Sequence, residues 1–203
     1  MIKNSTIELL SNISLGLFRK NFFGLYHGSI SAKLDHSNFV INTKDAIFDR
    51  LDEHTLCEIE MNKFDYRWNR ASLEAEVHAS IYNLVHEAKY IACGMPPYST
   101  AYTFDHDEIV PLDYFGKTTY GKIPIYDPGD YDSWYDRNIF EIIKYYKETM
   151  NHVIVIKGIG VYVYDRDINE LVKKIAILEN SCKLLTLRNT FKHNSINQIL
   201  EDD

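Results

Sequence analysis

The stretch VIVIKGIGVYVYDRDINELVKKIAILE, residues 153–179, contains two apolar runs, a turn with two glycines and an amphipathic segment in direct succession. Continuous runs of valine, isoleucine and tyrosine are typical of buried strands, and the glycines between them favour a turn. Asp167 is followed three residues later by Glu170, as at a helix start, and apolar residues then recur at helical spacing. The stretch therefore predicts a buried strand pair followed by a long helix.

The segments on either side of this stretch predict further helices and strands. Helices are predicted where apolar residues recur at helical spacing, over residues 5–19, 72–88 and 140–146. Strands are predicted where short runs are apolar or alternate with polar residues, over 24–33, 38–41, 55–61 and 90–93. Residues 105–136 are rich in proline, glycine and aromatic residues and are expected to be loop-rich, and the polar tail from about Lys192 is expected to fray. Because no repeat or linker divides the chain, one α/β domain over residues 1–203 is expected.

The composition limits the function classes. The chain has 203 residues, 45% of them apolar, which is enough for one sizeable core. A net charge of −7 leaves no excess positive field, so neither nucleic acid nor an anionic membrane is an expected partner. No apolar run approaches the roughly 20 residues that cross a bilayer, and the polar residues throughout positions 1–20 favour neither a membrane span nor a signal peptide, so neither is expected. Three scattered cysteines do not make a disulfide framework, so a cytoplasmic location is expected.

Taken in chain order, these segments resemble the class II aldolase/adducin family from roughly Leu10 to Leu187. Four fragments carry the resemblance, namely HGSISAKLDHSNFVINTKDAIFDRLDEHTLCEIEM, SLEAEVHASIY, GKIPIYDPGD and the stretch quoted above. The resemblance implies a three-layer α/β fold in which helices flank a central, mainly antiparallel sheet. It also implies a homo-oligomer, a tetramer with its sites between subunits.

The resemblance also implies a changed metal site. In the enzymes of this family, three histidines hold a zinc ion that polarises a substrate carbonyl and stabilises an enediolate. Counting from Tyr82, the three ligand positions fall on Cys93, Met95 and Ile159. A thiolate and a thioether suit Cu(I) better than zinc, and Ile159 donates nothing. The expectation is therefore that no metal and no zinc cofactor is bound, and that Ile159 is a buried packing residue.

Two catalytic candidates also come from the resemblance. Glu74 lies four residues before His78, where the family places its acid/base carboxylate. The alternative is that Glu74 is a first-turn carboxylate that is stabilised by the helix dipole and has no catalytic role. Tyr114 is the nearest positional match to the tyrosine that family enzymes recruit from a neighbouring subunit as a proton donor. The alternative for Tyr114 is a place in a subunit interface, where tyrosines are enriched.

The candidates for substrate binding occupy the positions where the family binds phosphate through small donors and glycine, namely Gly28, Ser29, Lys44 and Ser72. Ser29 replaces an asparagine, and Lys44 with Asp45 replaces a Ser/Thr-Gly pair, so a sugar phosphate is not the obvious ligand. His27 and His78 are expected to be packed or to face a partner rather than to act in catalysis.

The sequence is compatible with three functions. The first is a family member that has lost zinc chemistry and has a binding or scaffolding role, with the adducin head as a precedent. The second is a metal-independent lyase or epimerase that acts on a sugar or sugar-derived carbonyl compound through Glu74 and tyrosines. Lys44 or Lys157 would then serve as the cation or as a Schiff-base amine. The third is a carbohydrate-related enzyme with a repositioned metal, to which His106 could contribute a nitrogen. A small sugar-like molecule is the expected ligand.

Overall fold

The computed structural model describes the backbone of residues 2–201 and the side chains of residues 2–191. Over this part, the chain forms six helices and eight strands. The helices are α1 (Asn4–Arg19), α2 (Ala75–Leu84), α3 (Pro97–Tyr102), α4 (Tyr114–Tyr120), α5 (Trp134–Thr149) and α6 (Ile168–Glu201). The strands are β1 (Ser29–Lys33), β2 (Asn38–Asn42), β3 (Leu56–Glu60), β4 (Tyr90–Gly94), β5 (Glu108–Ile109), β6 (Ile123–Tyr126), β7 (Val153–Ile156) and β8 (Gly160–Asp165).

The eight strands form one sheet in the order β3-β2-β1-β4-β8-β7-β6-β5. Only β6 and β7 pair in parallel among these strands, and all other neighbours are antiparallel. In the centre of the sheet, Cys93 of β4 pairs with Tyr162 of β8, and Gly94 pairs with Val161. The predicted central, mainly antiparallel sheet is therefore confirmed.

Helices cover both faces of the sheet. On one face, α1 and α6 bury Leu10 and Leu171 against the sheet, and on the other α2 and α5 bury Ile81 and Ile142. Strand residues alternate between these two cores because successive side chains of a strand point to opposite faces. The predicted three-layer arrangement is confirmed. None of the described helices is long and apolar enough to span a membrane.

The predicted bounds of α1 and the predicted start of α6 agree with the structure, whereas α5, predicted over 140–146, extends over Trp134–Thr149. The carboxylate of Asp167 accepts the backbone N–H of Asn169 at 2.7 Å, which confirms the predicted start of α6. The helix predicted over 72–88 is shorter, because Glu74 is its N-cap and the backbone becomes extended at Val85. The backbone of α6 continues to Glu201. The side chains from Lys192 onward, where a frayed tail is predicted, lie outside the described residues.

The segment predicted to be loop-rich, residues 105–136, also contains β5, α4, β6 and the start of α5, which the sequence analysis does not predict. The carboxylate of Asp113 accepts the backbone N–H of Gly116 at 2.8 Å and caps α4. Its second oxygen accepts the hydroxyl of Ser181 at 2.6 Å, which ties α4 to α6. The three complete elements among these, β5, α4 and β6, have two to seven residues, so they are too short to show the periodicity on which sequence reasoning depends.

Candidate functional site

A cleft of about 600 Å³ lies where β4 ends, beside the turn between β7 and β8 and the segment that leads into α2. Seven of the residues predicted as catalytic, substrate-binding or former metal-ligand positions line it, namely Gly28, Lys44, Ser72, Glu74, Cys93, Met95 and Ile159. These residues are far apart along the chain, and the antiparallel order of β1, β4 and β8 brings their strand ends together. The cleft is therefore the candidate functional site.

The three positions that correspond to zinc ligands form one wall of this cleft. Cys93 is buried, Met95 is 45% exposed, and Ile159 is half-buried against the core that contains α2 and α5. Ile159 packs against the core as predicted, but it is half-buried rather than buried, because its turn lies at the wall of the cleft. Burial raises the pKa of the Cys93 thiol well above its usual value, and the neighbouring Glu74 raises it further.

This donor set does not fit a zinc ion held by three nitrogens. Zinc prefers thiolate, imidazole and carboxylate donors, so Cys93 could supply at most one suitable ligand; the thioether of Met95 is a weak ligand, and Ile159 has no donor atom. Among the described side chains, no group of three or more His, Cys, Asp or Glu is arranged to hold a metal ion. His106 lies outside the cleft lining, where its ring stacks on Tyr102 with centroids 3.8 Å apart.

Two glycines allow the backbone segments of this wall to approach closely. A Cβ atom on Gly160, whose φ is +138°, would lie 2.3 Å from the carbonyl oxygen of Gly94. A Cβ atom on Gly94 would lie 2.4 Å from the carbonyl oxygen of Phe22, and the next residue, Met95, donates its backbone N–H to that same oxygen at 3.0 Å. Close packing of three backbone segments thus fixes the position of Met95 at the wall.

Glu74 is the carboxylate of the cleft with the most altered environment. It occupies the N-cap position of α2 without a capping hydrogen bond from its side chain, and its carboxylate instead accepts a hydrogen bond from the hydroxyl of Tyr162. Burial raises the pKa of Glu74, and the bond from Tyr162 opposes part of that rise. A carboxyl group with a raised pKa can give or take a proton closer to neutral pH than an exposed one.

Sequence reasoning missed Tyr162 and Tyr135. Tyr162 is fully buried beneath the cleft; this burial raises the pKa of its hydroxyl well above its usual value, and the neighbouring Cys93 and Glu74 raise it further. Tyr135, on α5, lines the cleft and is largely exposed. The alternation of β8 places Tyr162 on the α2 face, but its approach to Glu74 depends on the register between β8 and β4.

Ser29 lies beside the cleft lining rather than in it. Its hydroxyl is buried and forms a hydrogen bond with Nε2 of His78 at 2.8 Å. The hydroxyl of Ser31 bonds the other ring nitrogen of His78 at 2.7 Å and the hydroxyl of Tyr82 at 2.7 Å. Burial lowers the pKa of His78 to about 3, so its ring is neutral. His78 is thus packed, as predicted, whereas His27 lines the cleft.

The remaining candidates differ in their access to the cleft. Lys44 is exposed at the cleft beside Asp45, which supplies the opposite charge. Lys157 does not line the cleft, and its ammonium lies 3.5 Å from the carboxylate of Asp127. Tyr114 lies on α4, 74% exposed and outside the cleft of its own chain. A catalytic role of Tyr114 in a neighbouring subunit stays a prediction.

The fold and the cleft at the β4 end define the class of protein. The family described as Class II Aldolase and Adducin N-terminal domain matches residues 8–186. The chain belongs to this family, and the resemblance seen in the sequence is confirmed. A comparison with curated proteins gave no match.

Several solved structures share the fold. L-fuculose-1-phosphate aldolase from Thermus thermophilus superposes with a TM-score of 0.81 at 17% identity, covering 94% of this chain and 97% of that one. A sugar-phosphate aldolase from Thermotoga maritima gives 0.73 at 14% identity, with 92% and 96% covered. L-fuculose 1-phosphate aldolase from Glaciozyma antarctica gives 0.69 at 14% identity, with 89% and 71% covered. At these low sequence identities, the structural similarity shows that the fold is shared and shows nothing about activity.

Proposed function

We propose that this chain is a class II aldolase-like protein that binds a small sugar-like molecule in its cleft and has lost zinc-dependent chemistry. The observation that carries the proposal is the donor set at Cys93, Met95 and Ile159, which cannot supply three metal-binding nitrogens. Without a Lewis acid at this wall, the negative charge of an enediolate has no partner there. The cleft therefore keeps the shape of a ligand site without the family's electrophile.

The chemistry of the cleft suits a polyhydroxylated ligand. Its polar lining includes the ammonium of Lys44, which can donate to sugar hydroxyls, the carboxylate of Asp45, which can accept from them, and the hydroxyl of Ser72, which can do both. Leu73 and Met95, both exposed, give apolar surface for the carbon face of such a ligand. A volume of about 600 Å³ is within the range of small-molecule sites.

Cleavage and binding assays on tag-free protein test this proposal together. We expect no zinc-stimulated cleavage of fuculose 1-phosphate or rhamnulose 1-phosphate, whereas at least one sugar or sugar phosphate in a panel raises the melting temperature. Ile159→Trp places a bulky ring in the cleft and should abolish that rise. Leu184→Trp, a change on the exposed face of α6, should leave it intact. Clear turnover with added zinc contradicts the proposal, and so does a ligand shift that Ile159→Trp leaves unchanged.

A second candidate is a metal-independent lyase or epimerase, and the environment of Glu74 favours it. The raised pKa of Glu74 and the Tyr135 hydroxyl at the same cleft are suited to proton transfer on a carbonyl compound. Exchange of a substrate C–H proton for solvent deuterium, measured by NMR on metal-depleted protein, tests it. Deuterium exchange by the wild-type protein that is lost in the Glu74→Gln variant supports a metal-independent enzyme. Ligand binding without any exchange contradicts the enzyme and supports a binding role alone.

We also propose a homotetramer in a reducing cytoplasm. Tyr114 and Phe115 expose adjacent aromatic rings on α4, which suits an interface with another copy of the chain. Cys57, Cys93 and Cys182 are free and buried, as in proteins of reducing compartments. Light scattering should give about four times the chain mass of 23.7 kDa, and a stable monomer contradicts the assembly.

A further inference from the structure

A second cavity, of about 730 Å³, lies among α1, α3 and α6. It shares no lining residue with the cleft, so it is a separate site. Its floor is apolar and includes Leu17 of α1 and Ile175 of α6, each only 4% exposed, with Ile13 and Val172 half-buried beside them. We refer to this cavity as the α1–α6 groove.

The rim of the α1–α6 groove is cationic, although the chain as a whole carries a net charge of −7. Arg19 and Lys20 lie at the end of α1, and Lys183 lies on α6. All three are exposed, and none has an ion-pair partner among the side chains that the structure describes. The ammonium of Lys183 lies 5.4 Å from the ring centre of Tyr98, another residue of the groove.

The carboxylate in this lining is already engaged in the fold. Glu179 accepts the backbone N–H groups of Tyr98 and Ser99, both at 2.9 Å, and the hydroxyl of Ser99 at 2.8 Å. These bonds hold the start of α3 against α6 and leave Glu179 poorly placed to pair with the rim cations. The positive charge of the rim therefore faces solvent and the opening of the groove.

Gly16 shows that the space above the floor is open. It lies inside α1, where glycine lowers helix stability relative to alanine. A Cβ atom added at Gly16 would meet no atom within 4 Å, so no contact within the described fold requires a glycine there. The position instead keeps the α1 side of the groove free of side-chain atoms.

We propose that the α1–α6 groove binds a small amphipathic anion, namely an alkyl carboxylate. The alkyl chain lies along the floor between α1 and α6, and the carboxylate meets Arg19, Lys20 and Lys183 at the rim. The charge is complementary, the floor provides apolar burial, and the volume is within the range for small-molecule ligands. This site is independent of the function proposed for the cleft.

Isothermal titration calorimetry with decanoate tests the site on the full chain. We expect saturable binding with about one decanoate per chain, and no comparable binding of decanol or decyltrimethylammonium, which share the tail but not the charge. Lys183→Gln should weaken decanoate binding by about threefold to fivefold, the loss of one partly exposed charge contact. Lys173→Gln, which removes an α6 charge outside the groove, is the matched control and should change nothing.

Gly16→Leu fills the space above the floor and should abolish decanoate binding. Because that space is open, the variant should keep its fold and unfold at the same or a higher temperature. No binding by the wild-type chain overturns the proposal, as does equal binding of decanol or unchanged binding by folded Gly16→Leu. Binding of an acidic peptide at the groove, with no binding of decanoate, also overturns it in favour of a protein partner.

Discussion

The buried ring of His78 should make the fold sensitive to mild acid. His78 is fully buried, and both ring nitrogens bond serine hydroxyls, so no carboxylate among these partners compensates a charge on the ring. Burial lowers its pKa from 6.5 to about 3. Since the unfolded chain binds this proton more tightly, His78 contributes its full stability above about pH 6.5. That contribution falls as the pH decreases toward 3.

The size of this effect follows from the shift in pKa. One pKa unit corresponds to about 1.4 kcal/mol, so lowering the pH from 7.5 to 5 should reduce the free energy of unfolding by about 2 kcal/mol through His78 alone. The His78→Gln variant can still hydrogen-bond to Ser29 and Ser31 but cannot take up the proton. Its stability at pH 7.5 will differ from that of the wild type, but its dependence on pH should lack this component.

Urea unfolding at several pH values between 5 and 7.5 measures the effect, with all other titrating groups common to both proteins. His36→Gln, which replaces a histidine on an exposed turn, is the control and should keep the wild-type slope. The reasoning is refuted if wild type and His78→Gln lose the same free energy of unfolding between pH 6.5 and 5.

Two further predictions concern the Glu74 carboxyl and the packing of α4 against α6. Tyr162→Phe removes the hydroxyl that donates to Glu74, so the pKa of Glu74 should rise further and stability should fall by about 1–3 kcal/mol. A carboxyl ¹³C NMR titration of Glu74 that is unchanged in Tyr162→Phe contradicts this. Gly116→Ala puts a Cβ 2.3 Å from the hydroxyl of Ser181 and should cost about 1–3 kcal/mol, whereas Gly16→Ala should stabilise by about 0.5–1 kcal/mol. Equal urea midpoints for the two alanine variants contradict the described packing.

Elements whose signals are local could be predicted from the sequence. The β7–β8–α6 unit is an example, because two apolar runs, a glycine turn and the Asp167 cap are all contiguous. The short elements within residues 105–136 could not be predicted from local sequence signals. Helix α4 depends on the bond between Asp113 and Ser181, which are 68 residues apart, and β5 and β6 are stabilised by pairing at the sheet edge.

The candidate site also combines features that the sequence predicts with features that depend on contacts between distant residues. The wall of the cleft could be predicted because its residues occupy motif positions at strand ends, and Glu74 and Lys44 were found by the same reasoning. The hydroxyl of Tyr162 on Glu74 and the burial of Ser29 against His78 could not be predicted. Both contacts join a residue of α2 or its N-cap to a strand residue that is distant in sequence, so they depend on how α2 packs on the sheet.

A variant with three histidines gives the positive control for the metal site. Cys93→His, Met95→His and Ile159→His together restore three nitrogen donors at the wall of the cleft. We expect zinc to raise the melting temperature of this triple variant, whereas Ile159→His alone should gain nothing. A folded triple variant that gains no stability from zinc contradicts the assignment of these positions.

The zinc content of the purified wild-type chain, measured by elemental analysis after removal of any affinity tag, tests the central claim most directly. Because the ligand positions hold Cys93, Met95 and Ile159, the account predicts far less than one zinc per chain. The triple histidine variant, purified in parallel, should approach one. About one tightly held zinc per wild-type chain would contradict the claim that this cleft has lost its metal site.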